Sequence, residues 1–489
     1  MPAKVRYIDS DIVRVYTFGS EKKNKDSYIC TLFWGDSVRV VGKSGGQHKL
    51  EFARRSWDPK SRHYQWNKVV GVVSGSVRFR DDPILKVRFV DVGQGDAAII
   101  ESPKGRVILL DGGEENHLKN YVTAAWAHVL RTRPLNCDAV VVTHGDADHF
   151  SGLPRLAAQT RRDGKSVITV DRVFHNGIVK RPDSVPEKSR LGRTRVVDGE
   201  TYLTELEEDL LTTADSKMNT KFLEWKTAIR QLKKENSKLR VRRLQYGDND
   251  AFSFLSDENV KVEVLGPVVS MLGSVPALPA LSAPGSSSFS SSHTINGHSI
   301  VLKLTYGNVR FLFGADLNAE SEETLLKRTR SDNVSLAAEV LKVPHHGSAD
   351  FSPAILEAIR PVVSVVSSGD ENAVKEYIHP RAGLVGALGK YSRPTVDKPL
   401  IYVTEMVAFF ARLGRISAHK FSKGDKESAT GREINNAYEK TSFGIVHVRT
   451  DGQRVLVATH SGKPKDKESY VFTVSELGDV EFGEEPSIL

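Results

Sequence analysis

The stretch Val140–Leu153, VVVTHGDADHFSGL, decides the fold. An apolar run that reads as a buried strand stops at His144, and His144-Gly-Asp146-Ala-Asp148-His149 follows at once. Two imidazoles and two carboxylates are crowded there, with a helix expected to begin near His149 and run through LPRLAAQTR. A strand end is a rigid place from which a loop can present ligands. Alternation lets His144 and Asp146 point one way, while Asp148 and His149 turn towards a second position. A lone His or Asp is usually structural or solvated. Four of them between a buried strand and a helix point to divalent metal, and one such loop can serve two neighbouring ions.

Outward from this loop the chain reads as α/β layers. ILKVRFVDVGQGDAAIIES (84–102) and RVILLDGG (106–113) are strands meeting at glycine turns, followed by a helical stretch over 116–132. Further strands are ITVDRVFHNG (168–177), SIVLKLTYG (299–307), VRFLFGAD (309–316), AEVLKVPHHGS (338–348) and VVSVVSSG (362–369). Such alternation predicts sheets covered by helices. Residues about 200–240 are charged with apolar positions at helical spacing and read as an exposed helical insertion. Residues about 270–293, rich in Pro, Ala and Ser, read as a mobile loop. The segment 400–489 reads as a C-terminal extension ending in a β-hairpin, with Asp451-Gly452 as its turn signal.

Residues 1–82 differ in grammar. Short β segments separated by glycine pairs and polar turns suggest a small β-barrel. Residues 1–80 carry sixteen Lys/Arg against seven Asp/Glu, +9, which leaves about −1 of the chain's +8 for everything else. A basic module on a neutral body suits a polyanion. Trp57 stands among Arg54, Arg55, Lys60 and Arg62, a pattern that can stack bases and hold phosphates, whereas Phe33 and Trp34 read as core.

At 489 residues, with 39% hydrophobic and 27% charged positions, the chain has the composition of a soluble globular protein of more than one domain. No apolar run approaches the roughly 20 residues of a membrane span. The N-terminal residues lack a signal-peptide core. Two cysteines, Cys30 and Cys137, make no disulfide framework and fit a reducing cytoplasm.

The motif His144-x-Asp146-x-Asp148-His149 is similar to the His-x-His-x-Asp-His signature of the metallo-β-lactamase fold, with Asp in the second position. With FVDVGQGDAAII, RVILLDGG, NGHSIVLKLTYGNVRFLFGAD, LKVPHHGS and SSGDENAVKEYIHP in order, the chain resembles the hydrolase domain of the ComEC competence-protein family over about 84–395. The resemblance implies an αββα sandwich over 83–399, without the family's membrane channel. It implies His144, Asp146, Asp148 and His149 as metal ligands and Asp316 as the carboxylate bridging two ions. One of His345 and His346 completes the second site, and the other meets substrate. The third ligand of the first site stays open between His298 and His175, the latter also a candidate substrate contact. Asp96 and Asp111 are expected to orient ligands, and Ser348 to assist at the substrate.

An imidazole replaced by a carboxylate hardens the first site, so two divalent ions are expected, Mn²⁺ favoured, Zn²⁺ or Mg²⁺ possible. With Asp148 orienting a hydroxide and His346 and His379 as hydrogen-bond donors to phosphate, the expectation is a nuclease acting on DNA. A phosphodiesterase for a small molecule, such as a nucleotide messenger or a phosphorylcholine-type ester, is the alternative. A nucleic-acid-binding or partner-docking subunit with a vestigial metal site is a third reading. The helical insertion or the C-terminal extension could carry a protein partner or a homo-oligomer contact.

Overall fold

In a computed structural model of the chain, the described residues are 5–19, 27–58, 63–161, 163–282, 285–286, 288–369, 379–394, 399–404, 409–417, 420–423, 433–441, 445–460 and 469–483. Only the backbone is described at 52–58, 63–68, 128, 409–417, 420–423, 433–441 and 460.

Two sheets face each other. The first runs, in spatial order, Arg240–Arg243, Arg172–His175, Ala139–Val141, Val107–Leu110, Ala98–Glu101, Leu85–Phe89, Ile445–Thr450, Arg454–His460, Ser469–Val474 and Val480–Phe482. The second runs Val260–Val264, Leu302–Tyr306, Val309–Phe313, Val340–Lys342, Val363–Val366 and Leu400–Val403. Period-two alternation sorts their side chains. Val87, Ile100, Ile108 and Val141 meet Val262, Leu302, Phe311, Val340 and Val363 in the core between the sheets.

The opposite faces carry helices. Ile99, Leu109 and Val140 pack under His117–Ala125, Gly152–Ala157 and Thr220–Glu235. Leu312, Leu341 and Val366 pack under Ala319–Ser331, Pro353–Ile359 and Ala382–Tyr391. The result is an αββα sandwich. Each large side chain buried this way contributes about 1.5–3 kcal/mol, so the three cores carry the stability of the body.

The central strands are parallel within each half: Val107–Leu110, Ala139–Val141, Arg172–His175 and Arg240–Arg243 in the first sheet. Val309–Phe313, Val340–Lys342, Val363–Val366 and Leu400–Val403 do the same in the second. Their carboxyl ends therefore run straight into the loops that hold His144, His175, Asp316, His345, His346 and Ser367. Ligand sites of layered α/β folds form at such ends.

The structure departs from the sequence expectations in three places. The helical insertion is not exposed. Its helix is Thr220–Glu235, capped by Asn219, whose side chain accepts from the Phe222 N–H at 3.0 Å. Phe222, Trp225, Ile229 and Leu232 are buried in the layer over the first sheet, so this helix is structural cover. Before it, Thr194–Val197 and Glu200–Leu203 form a hairpin.

Within the expected mobile loop, Val275–Pro279 is a strand paired with both Glu200–Leu203 and Ser270–Leu272. The backbone hydrogen bonds of a Pro-rich strand at this position fix it in place. The C-terminal extension packs onto the body. Leu400–Val403 is the edge of the second sheet, and the hairpin strands Ile445–Thr450 and Arg454–His460 enter the first sheet beside Leu85–Phe89.

The N-terminal module is a seven-stranded sheet curled around Ile8, Val13, Val15, Val38, Leu50 and Val73. It is not a closed barrel among the described residues. Phe79–Arg80, at one edge, pairs over only two residues and leaves no ladder to close against Tyr28–Phe33 at the other. Trp34 packs on Ile84 and Leu456, and Arg449 donates to the Trp34 carbonyl at 2.6 Å and to Asp36 at 2.8 Å. Phe33 and Trp34 are thus core, and they seat the module on the body.

No helix among the described residues is long and apolar enough to cross a membrane.

Candidate metal centre

The strand Ala139–Val141 continues through Val142 and Thr143 and delivers His144 into the cleft. The turn Ala147–Phe150 then brings round Asp148 and His149. Gly95 makes this fit possible: at φ 114°, its α-carbon lies against the Asp148 carbonyl, where a Cβ would collide.

Four groups converge across the sandwich. His149 Nε2 stands 3.3 Å from His346 Nε2 and 3.3 Å from Asp316 Oδ1. His346 Nε2 is 3.2 Å from Asp316 Oδ2 and 3.4 Å from Asp148 Oδ2. Ligands held about 2.1 Å from one tetrahedral ion lie roughly 3.4 Å apart, so these spacings suit a shared cation. Asp316, Asp148, His149 and His346 come together as expected.

The far side of each ring is also organised. His149 Nδ1 donates to Asp111 Oδ2 at 2.9 Å, and His346 Nδ1 donates to the Ser367 carbonyl at 2.9 Å. Both Nε2 lone pairs therefore turn inward, as metal-binding imidazoles require. Asp111 also accepts from the Thr143 N–H and hydroxyl, each at 2.7 Å. With its hydroxyl proton on Asp111, Thr143 Oγ1 accepts from His144 Nδ1 at 3.1 Å, which leaves His144 Nε2 bare as well. Asp111 is thus linked to both rings, to His149 directly and to His144 through Thr143.

Asp96 sits behind the rings. Its Oδ1 is 3.4 Å from His346 Nδ1, and its Oδ2 pairs with the Lys342 ammonium. One ligand atom each of Asp96, His149, Asp316 and His346 lies within 4.8 Å of the others. Asp96 meets the Nδ1 side of His346 and an ammonium, on the far side of the rings from the two Nε2 atoms.

The electrostatics call for a cation. Lys342 neutralises Asp96 and Lys180 neutralises Asp146, which leaves Asp111, Asp148 and Asp316 buried without a side-chain counter-ion of fixed charge. Burial works against charging His149 and His346, yet Asp316 and Asp111 beside the first, and Asp316 and Asp96 beside the second, hold both pKa values well above the ordinary imidazole range. Burial would raise Asp148, but the His346 hydrogen bond and the charges of His149 and His346 keep it below the usual carboxylate range. Burial and the neighbouring His149 push His144 well down. Without an ion the His149 and His346 imidazoles carry the protons that offset the buried carboxylates; a divalent ion that displaces those protons would take over that charge and meet two nitrogens and the Asp316 and Asp148 oxygens.

The remaining expected residues fall outside this nest. His345, although next to His346, lies outside the cluster. Both residues have left-handed backbones, φ 49° and 52°, and the turn sends their rings to different places. With the Asn296 amide oriented to satisfy both its ends, its oxygen accepts from His345 Nε2 at 3.3 Å and its nitrogen donates to Asp146 Oδ2 at 2.9 Å. His379 lies at the rim, its ring centroid 6.3 Å from that of His345, with burial and the His346 and His345 rings pushing its pKa down to about 4. Ser348 Oγ accepts from the Asp350 N–H at 3.2 Å and closes the turn.

Neither candidate for the third ligand of the first site is placed as one. His298 Nε2 donates to the Pro279 carbonyl at 2.7 Å, because Val275–Pro279 runs past it as a strand. His175 Nδ1 accepts from the Gly177 N–H at 3.1 Å, a local turn bond, and burial pushes its pKa down to about 3. The side chains of Arg54, Arg55, Trp57, Lys60 and Arg62 lie outside the described residues.

Sequence reading missed Thr143, Ser367, Lys342 and Lys180. Thr143, directly before His144, had a positional signal. The other three carry none.

Residues 90–213 match the metallo-beta-lactamase superfamily model, a span that holds the His144–His149 loop and four of the parallel and antiparallel strands around it. The αββα sandwich is the fold of that superfamily. Competence protein ComA of Neisseria gonorrhoeae is 37% identical over 81 residues, which are 16% of this chain and 11% of that protein. Among solved structures, a diphosphatase of the PhnP family is similar at TM-score 0.25 and 12% identity, over 58% of this chain and 86% of its own. Zn²⁺-bound PqqB from Methylobacterium extorquens is similar at TM-score 0.31 and 11% identity, over 65% of this chain and 97% of its own.

Proposed function

We propose that this chain is a metal-dependent hydrolase of phosphodiester bonds whose substrate is nucleic acid, DNA foremost. One observation carries the hydrolase reading: His149 Nε2, His346 Nε2 and the Asp316 carboxylate meet at 3.2–3.3 Å, Asp148 Oδ2 lies 3.4 Å from His346 Nε2, and both Nδ1 atoms are tied outward. His149, His346, Asp148 and Asp316 would hold a divalent ion, Mn²⁺ by preference given the mixed nitrogen and oxygen donors. A bound ion of this kind polarises a phosphoryl oxygen and makes water a nucleophile at neutral pH.

The chain's own residues do the rest. Asp148, held below the usual carboxylate range, keeps no proton near neutral pH, so it orients the attacking water by accepting a hydrogen bond. His379, neutral at pH 7 with its pKa near 4, offers an N–H to a phosphoryl or leaving oxygen without competing for the ion. His345, steered by Asn296, stands beside it on the same rim.

The nucleic-acid part rests on the N-terminal module. Its +9 charge over residues 1–80 supplies phosphate attraction. Phe18 is 48% exposed with Lys49 Nζ 3.8 Å above its ring, a pairing that suits a stacked base and its phosphate.

The test is incubation of metal-stripped protein with single- and double-stranded DNA and RNA, with and without Mn²⁺. Cleavage of DNA that needs Mn²⁺, falls steeply with salt and vanishes in the Asp148→Ala, His149→Ala double variant is expected. Turnover of a small chromogenic diester with no cleavage of any polymer would replace the substrate with a small molecule. Full activity in the double variant would end the hydrolase reading.

A further inference from the structure

The ligand set of the first metal position does not fit an ion. Asp146, which the motif places there, has both carboxylate oxygens engaged: Oδ1 takes the Lys180 ammonium at 2.7 Å, and Oδ2 takes the Asn296 amide at 2.9 Å. The imidazoles that could have completed this position, His298 and His175, face the Pro279 carbonyl and the Gly177 N–H. His144 Nε2 stands 3.9 Å from Asp316 Oδ2, against 3.2–3.3 Å for the corresponding distances of His346 and His149.

Lys180 is anchored for this place. Its carbonyl accepts from the Asn219 N–H at 2.8 Å, the residue that caps the Thr220–Glu235 helix, so the backbone that aims it is tied to the covering layer. Its side chain is 21% exposed, and its ion pair with the equally exposed Asp146 is half-sheltered. An ion bound to Asp146 at about 2.1 Å would lie within about 5 Å of this ammonium. A divalent and a monovalent cation at that distance, in a half-sheltered cleft, repel each other strongly.

We infer that the chain holds one divalent ion, at His149, His346, Asp148 and Asp316, and that the Lys180 ammonium stands where a second ion would otherwise sit on Asp146. The inference rests on the metal-centre reading above and narrows it. Lys180 has three N–H bonds, of which Asp146 takes one. A non-bridging phosphoryl oxygen suits the others, since a point-like ammonium holds it without demanding a geometry. The substitution of Asp for His in the motif acquires a reason: a carboxylate offsets the charge of an ammonium, and a neutral imidazole does not. Two ammoniums, on Asp146 and on Asp96, then bracket a single ion.

The experiment counts ions directly and reads no activity. Metal-stripped full-length protein is loaded with Mn²⁺, passed through a desalting column and measured by elemental analysis and by electron paramagnetic resonance. Wild type is expected to retain close to one Mn²⁺ per chain, with the hyperfine pattern of an isolated ion. Lys180→Met is expected to take up a second ion and show the broadened signal of a spin-coupled pair. Lys180→Arg, which keeps the cation, is expected to stay at one. Lys180→Gln serves as a second neutral variant, and thermal melting certifies that each variant is folded. Two coupled ions in wild type overturn the inference and leave the metal-centre reading intact, as does a count that stays at one in both neutral variants. A wild-type chain that retains no ion overturns both.

Discussion

His149 Nε2 and His346 Nε2 stand 3.3 Å apart, although 197 residues separate them in the chain. Each comes from the carboxyl end of a parallel strand in a different sheet, so the pair reports directly on how the two halves of the sandwich are docked. His345 has no such partner. His346→Ala is therefore expected to weaken Mn²⁺ binding by about 100-fold or more, beyond what loss of an outer contact costs. His345→Ala should bind Mn²⁺ within about threefold of wild type. Isothermal titration of the two variants checks the assignment, and the reverse ranking would refute it.

Asp111 accepts three donors, the Thr143 N–H and hydroxyl and His149 Nδ1. Asp111→Asn keeps the shape but turns an NH₂ towards one of them. It should weaken Mn²⁺ binding by roughly 10–100-fold. Asp138→Asn, a carboxylate that accepts from the Val107 N–H away from the cleft, is the control and should leave binding unchanged.

Gly95 adopts φ 114° beside the Asp148 carbonyl. Gly95→Ala adds both a strained backbone and a collision with main chain that cannot swing aside. A loss of about 2 kcal/mol or more in urea denaturation is expected, with weaker metal retention because Asp148 must shift. Gly105→Ala shares a positive φ but meets no neighbouring atom, so it should cost less.

His298 gives a pH signature unrelated to the metal. Burial pushes its pKa down to about 4, with the Pro279 carbonyl bond opposing only in part. The unfolded chain, with an ordinary value near 6.5, binds the proton first. Stability from this group is therefore present above about pH 6.5 and is lost as pH falls towards 4. Between pH 7 and pH 5 the loss should be about 2 kcal/mol. His298→Gln, which can still donate to Pro279, should remove that part of the wild-type pH dependence in urea titrations.

The centre was legible in sequence where ligands are local. His144, Asp148 and His149 follow one buried strand, and Asp316 follows another, so period and motif sufficed. The choice between His345 and His346 was not legible, because consecutive left-handed residues obey neither strand nor helix periodicity. Lys180 lies 34 residues after Asp146 in a loop without regular structure, where nothing local announces a contact. The burial of the Thr220–Glu235 helix is masked for a different reason. Its many charges hide Phe222, Trp225, Ile229 and Leu232, whose spacing marks one buried stripe. The place of the C-terminal strands was hidden because the partner of Val446 is Phe89, and register between such distant segments leaves no trace in either.

That late pairing has a cost during synthesis. Leu85–Phe89 emerges from the ribosome with one flank bare, and its permanent neighbour, Ile445–Thr450, is made some 360 residues afterwards. Through that interval an apolar ribbon of unsatisfied amides waits in the open, a template for any nascent chain nearby. Truncation before residue 445 would make the exposure permanent, so shortened products should be recovered as aggregates while the full-length chain remains in solution.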